Sequence, residues 1–176
     1  MAIAMRKDIE VYMNMAASAE ADPIWTRCGD GWTKFSENPN AQTESVQYIN
    51  QASETTDTTS YSPQYSFECD LMHTEPTVKN VYDICKDRKT GSDAIVDVLI
   101  VDAFEAGTAE GSFVARREKL AVAVTSIDGT KKMKITGNLN GQGDGVKGDF
   151  VPAADPKSGE TAGTFTEKKA STETTS

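Results

Sequence analysis

Histidine is almost absent from this chain, and cysteine and tryptophan are scarce: 176 residues hold one His, three Cys and two Trp. A lone His73, with no Cys-x-x-Cys beside it, offers neither a His-Cys zinc set nor a base for a Ser-His-Asp triad. The cysteines, Cys28, Cys69 and Cys85, are odd in number and lack metal spacing. They are therefore read as reduced, partly buried thiols rather than a disulfide framework. Long apolar runs are missing too. The N-terminus, MAIAMRKDIEVYM, has no extended hydrophobic stretch behind its charges, so no signal peptide or bilayer span is expected. The chain is expected to be made and kept in a cytoplasm-like compartment. Basic clusters are also lacking: 27 Asp and Glu face 18 Lys and Arg, for a net charge of −9. A DNA-gripping surface needs clustered cations to displace counterions, and none of useful length occurs.

The remaining chemical motifs are weak. Between Gly137 and Gly148 the sequence contains G-x-G-x-G, but without a strand-turn-helix context or a following Gly-Lys-Ser/Thr it reads as a flexible connection. Asp128–Thr130 and Asn138–Asp144 offer oxygen ligands without a calcium-loop spacing or its terminal Glu. Asp97, Asp102 and Glu105 are acids on an acidic protein, read as solvated rather than as a glycosidase pair. No nucleophile–base pair or metal set stands out, so no enzymatic activity and no cofactor are expected.

What the chain does contain is β pattern. Ile9, Val11, Met13 and Met15 alternate as a first strand, and Ile24–Arg27 suits a short second one. The stretch Cys28–Ala41, through Gly29-Asp30-Gly31 and Asn38-Pro39-Asn40, reads as a long loop. Gln42–Asn50 and Ala52–Tyr61 read as a strand pair. The second of these, rich in Thr, has no apolar face, so it meets water on both sides or a partner chain on one. Tyr65, Phe67, Cys69 and Leu71 alternate as the next strand. One helix is predicted over about residues 75–89. Its stripe is Val78, Val81, Tyr82 and Cys85; Thr74 serves as its cap, Pro76 suits its first turn and Gly91 its stop. Further strands are expected at Ile95–Val101, Phe113–Ile127, Lys131–Gly137, Val146–Val151 and Thr161–Thr166, with Asp128-Gly129 as a hairpin turn. Phe104–Gly111 and the glycine run from Gly137 read as loops.

The fold expected is mainly β: a sandwich or open barrel with one flanking helix and long loops. Residues 1–8 form an N-terminal arm, 9–166 one domain and 167–176 a tail disordered by composition. Trp25–Trp32 followed by Asn38-Pro39, the Tyr48-Ile49 strand, Tyr61–Pro63, and a helix ending in Asp87-Arg88-Lys89-Thr90-Gly91 together carry a likeness. Over residues 9–166 the chain resembles the tail tube (major tail) proteins of long-tailed, siphovirus-type phages. The resemblance implies a structural subunit that assembles into stacked hexameric rings around a bore for genome delivery. It implies a β-sandwich whose edges are closed by neighbouring copies, with long loops and a terminal arm reaching the next ring. The expected partners are further copies, tape-measure proteins, and tail terminator and tip proteins. DNA passes through a polar, acidic lumen without specific binding, and no membrane is involved. The location implied is the virion tail, assembled in the host cytoplasm. Within that scheme Glu44, Glu54 and Asp57 are expected to line the lumen. Trp32 and Phe35, apolar groups in the long loop, are expected to make ring-to-ring contact. Two other readings stand beside this one: a type VI secretion-like tube protein, and a monomeric β-sandwich binding module for carbohydrate or a host surface.

Overall fold

The computed structural model describes residues 3–18, 20–157 and 159–168. Met1 and Ala2 of the expected arm, and the expected tail beyond Lys168, lie outside the described residues. The described chain is mainly β, with a curled half-barrel sheet and one helix. The strands are β1 (Ile9–Asn14), β2 (Trp25–Arg27), β3 (Trp32–Asn38), β4 (Ala41–Val46), β5 (Thr55–Tyr61) and β6 (Gln64–Asp70). After the helix α1 (Pro76–Lys86) come β7 (Ile95–Ala106), β8 (Phe113–Asp128), β9 (Lys134–Gly141), β10 (Val146–Pro152) and β11 (Gly163–Glu167). The main sheet runs β2-β1-β7-β8-β9-β6-β3, with β10 and β11 branching from β8; β4 and β5 pair only with each other.

The branch follows from the length of β8. One of its edges pairs with β7, while the other pairs with β10 over Phe113–Arg117 and with β9 over Leu120–Asp128. The sheet therefore curls two ways and encloses apolar residues on both of its faces. Val96, Val98 and Ile100 of β7 join a larger core with Val11, Met13, Tyr65, Phe67, Leu120, Ile135 and Leu139. On the opposite face Leu99 and Val101 join a second core with Tyr12, Trp25, Ala115 and Phe150. That two-sided burial explains why β7 reads as a continuous apolar run instead of alternating. The second core is closed where the main-chain N–H of Ala162 donates to Trp25 O at 2.7 Å and that of Trp25 donates to Thr161 Oγ1 at 3.1 Å. Each large side chain fully withdrawn here stabilises the fold by roughly 1.5–3 kcal/mol.

The helix lies on the larger core. Pro76 opens it, fixing φ where an N–H has no partner anyway. Thr77, Val78, Val81 and Ile84 are its buried residues. Tyr82 and Cys85, expected in the stripe, are only half-buried, and Ile84 takes the inward place one turn on from Val81. The cap position falls on Glu75, without a side-chain bond, rather than on Thr74. The chain leaves the helix through Arg88 at φ 51, so Arg88 itself makes the left-handed turn before Gly91 does.

Two expected loops are strands. Half of the stretch Cys28–Ala41 is β3, paired antiparallel with β6. The glycine run from Gly137 begins inside β9 and becomes a connection only after Gly141. Gly137 is required by closeness: a Cβ there would stand 2.4 Å from the Ala123 carbonyl oxygen on β8. Glycine here marks strand-on-strand approach rather than flexibility. β7 also runs on through Phe104 to Ala106, past the point where a turn-rich link was expected.

Candidate functional site

The element with no role in either core is the β4–β5 ribbon. Its residues Ala41–Tyr61 are all exposed, and it follows the β3–β6 hairpin after a break in pairing between Asn38/Gln64 and Ala41/Tyr61, where Asn40 has φ 48. Thr, Ser and Gln give strands that water satisfies on both faces, so no core is needed to hold them apart. The register places Glu44 opposite Asp57, Ser45 opposite Thr56 and Val46 opposite Thr55. The hydroxyls of Ser45 and Thr56 bond across the pair at 2.8 Å. Glu54 stands just before β5, where the connecting segment returns. The three acids are therefore brought together on one projecting ribbon, as the sequence expected, and all are exposed. Two carboxylates directly opposite each other repel. From Phe35 to Val78 the chain has no Lys or Arg to offset them.

The ribbon ends in large apolar groups. Tyr48 is 61% exposed, Ile49 109% and Val46 41%. An isolated ribbon has nothing to bury these against.

A cleft lies near the start of β3, away from the ribbon end of that strand. It has a volume of about 440 Å³ and lies between β3 and the Arg6–Val11 segment, with Arg27 and Cys28 on its wall. Ile9, Trp32 and Phe35 supply apolar surface, and Arg6, Lys7, Arg27 and Lys34 the cationic rim. Glu10 is the carboxylate present; it pairs with Arg27 at 2.8 Å. The Arg6 guanidinium sits 5.9 Å from the centre of the Phe35 ring and donates to Ile9 O at 2.5 Å. The outer edge of β3 has no strand partner among the described residues.

Trp32 and Phe35 line this cleft, but they are also built into the protein's own core. Trp32 Nε1 donates to Thr77 Oγ1 at 3.0 Å, and its ring lies 5.5 Å from that of Phe67. Phe35 stacks on Tyr65 at 5.3 Å. Both are half-buried, so neither is the free apolar group that a loop would have left exposed. The four cations of the rim escaped sequence reasoning because they are scattered at 6, 7, 27 and 34. Only the approach of β1 to β3 unites them.

Charged groups elsewhere are spent on the fold. Tyr65 donates to Glu118 Oε2 at 2.7 Å, and Arg116 grips both oxygens of Glu37 at 3.0 Å. The Arg116 hydrogen bonds hold the Glu37 carboxyl below the usual carboxylate range. Burial and Glu118 push the Tyr65 hydroxyl well above its ordinary value. Arg117 grips Asp97, with Nε 3.0 Å from each carboxylate oxygen, and lies 5.7 Å from the Trp25 ring. Burial pushes the Cys28 thiol up to about 12 and Cys69 up to about 11, leaving both inert as nucleophiles. His73 is exposed beside a second, smaller hollow of about 300 Å³ against α1, with Leu71, Tyr82 and Lys86. No group of three or more His, Cys, Asp or Glu side chains is placed to hold a metal ion among the described residues. No helix there is long and apolar enough to cross a membrane.

No protein family matches the chain, and no curated protein matches it. Among solved structures it is similar to a chain of the anti-feeding prophage baseplate, determined by cryo-electron microscopy with 6-fold symmetrisation. The identity is 10% and the TM-score 0.46, over 84% of this chain and 96% of that one.

Proposed function

We propose that this chain is a structural subunit of a phage tail tube, whose copies assemble into stacked hexameric rings around a bore. The observation that supports this most is the ribbon. It is a pair of strands withdrawn from the fold, polar on both faces, acidic, and tipped with Tyr48 and Ile49. A lone two-stranded ribbon is marginal in water, and its apolar tip gains nothing until another molecule covers it. Assembly supplies that cover. The unpaired edge of β3 is a second feature that a neighbouring copy satisfies. Glu44 and Asp57, on the ribbon shaft, then face the bore, where like charge keeps DNA phosphates from sticking and lets the genome slide. In this setting the chain is a virion component, built in the host cytoplasm alongside tape-measure, terminator and tip proteins, and its work is mechanical rather than catalytic.

Sedimentation velocity over a concentration series tests the reading. The purified chain is expected to pass from a slow species to a very large one as concentration rises. A variant with Gln42–Ser60 replaced by a two-residue turn is expected to remain slow. A full-length chain that sediments as one slow species at every concentration contradicts the proposal.

A further inference from the structure

The tip and the cleft of the previous sections have complementary properties. The tip is apolar, and the ribbon behind it carries Glu44, Glu54 and Asp57 with no cation. The cleft has an apolar floor of Ile9, Trp32 and Phe35 and a rim of Arg6, Lys7, Arg27 and Lys34, with only Glu10 of opposite sign. One copy cannot use both. Its ribbon leaves β3 at Asn38 and projects away from the Trp32–Phe35 stretch that lines the cleft. The six strand residues Ala41–Val46 carry the tip roughly 20 Å beyond the turn at Asn40.

We infer that the tip of one copy, Tyr48 and Ile49, seats in the cleft between β1 and β3 of a second copy, with Glu54 against its cationic rim. The inference rests on the self-assembly reading above and names the surfaces that reading requires. Such a contact joins two different patches, so each copy keeps a free tip at one side and a free cleft at the other. A head-to-tail contact that does not close continues indefinitely, which is what stacking of rings demands. The apolar tip in an apolar pocket supplies the anchor, and the opposed charges steer the encounter. Glu44 and Asp57, farther from the tip, stay with the ribbon shaft and are free to border the bore.

Photo-cross-linking of the full chain decides the matter. A photoreactive phenylalanine analogue replaces Tyr48, the protein is concentrated and irradiated, and the linked peptides are mapped by mass spectrometry. The expected result is an intermolecular link to residues 6–11 or 27–35, abolished by dilution. In parallel, Ile49→Asp is expected to raise the concentration needed for assembly by at least about tenfold, the effect of losing one buried anchor. Lys34→Glu combined with Arg27→Glu is expected to do the same, and mixing that double variant with an E54K chain to recover part of the loss. Ile49 is fully exposed in the single chain, so Ile49→Asp leaves the fold intact. Large assemblies whose links map elsewhere overturn this inference and leave the tube reading standing. A chain that never assembles removes both.

Discussion

At the residue scale, Asp149 is an acid with partners on two segments of the chain. It is buried, accepts from Thr108 through the main-chain N–H at 2.9 Å and through its hydroxyl, and pairs with Lys168 at 2.9 Å. These partners, the Thr108 hydroxyl first, hold its pKa down to about 2. An aspartate in the unfolded chain titrates near ~4. The unfolded state therefore takes up the proton first as pH falls, and the latch of Lys168 over β10 weakens between about pH 4 and about pH 2. Urea unfolding of the single chain across that window is expected to show falling stability, with a shallower fall in Asp149→Asn. An identical slope in the two proteins counts against the latch. Glu37, held low by Arg116, acts with the same sign. Core and tip residues are expected to separate sharply. Phe67→Ala removes a ring 1% exposed and is expected to cost about 3–5 kcal/mol in denaturant unfolding. Ile49→Ala is expected to change the stability of the single chain by less than about 0.5 kcal/mol. Gly137→Ala drives a methyl into the β8 main chain and is expected to cost about 1–3 kcal/mol, although the residue resembles a replaceable loop glycine.

At the element scale, the ribbon differs from every other strand pair in having hydrogen bonds without burial. Its amides are expected to exchange rapidly in the single chain and slowly in the assembly, while those of β7 and β8 stay protected in both. Equal exchange of β4 and β5 in the two states excludes the ribbon from the contact. The ribbon was legible in the sequence because the run from Ser53 to Ser60 is polar on both faces. The helix was legible because its apolar spacing and Pro76 agree, although Ile84 replaces Tyr82 and Cys85 inside. Two elements were misjudged for physical reasons. β3 looked like a loop because Gly29–Gly31 and Asn38–Asn40 punctuate it at both ends. Its single buried face, Trp32 with Phe35, is also spaced three apart, because a bulge between Trp32 and Lys34 shifts the register. β9 runs past the expected strand end at Gly137 to Gly141, because its glycines, needed for close approach to β8 and to Pro63, read in the sequence as flexibility. The cleft was illegible, since no periodicity announces that residues 6, 7, 27 and 34 will share a rim.

At the scale of the whole molecule, the net charge of −9 is unevenly spread. Acids without a basic residue occupy the ribbon, while four cations rim the cleft. In the proposed assembly, copies are repelled by their totals and drawn together by their parts. Raising the salt screens both effects. If steering by the rim dominates, assembly is expected to slow severalfold between low and high ionic strength, with the final polymer changed little. Light scattering after a concentration jump measures that rate; assembly indifferent to salt removes the electrostatic part of the account. The claim beneath all of this is that the chain's exposed strand pair and open edge are completed by copies of itself. Electron microscopy of the purified protein alone at high concentration tests it most directly. The account predicts hollow tubes whose end views show six subunits around an open centre, and none from the chain lacking Gln42–Ser60. Fields of separate compact particles from the full-length chain contradict it.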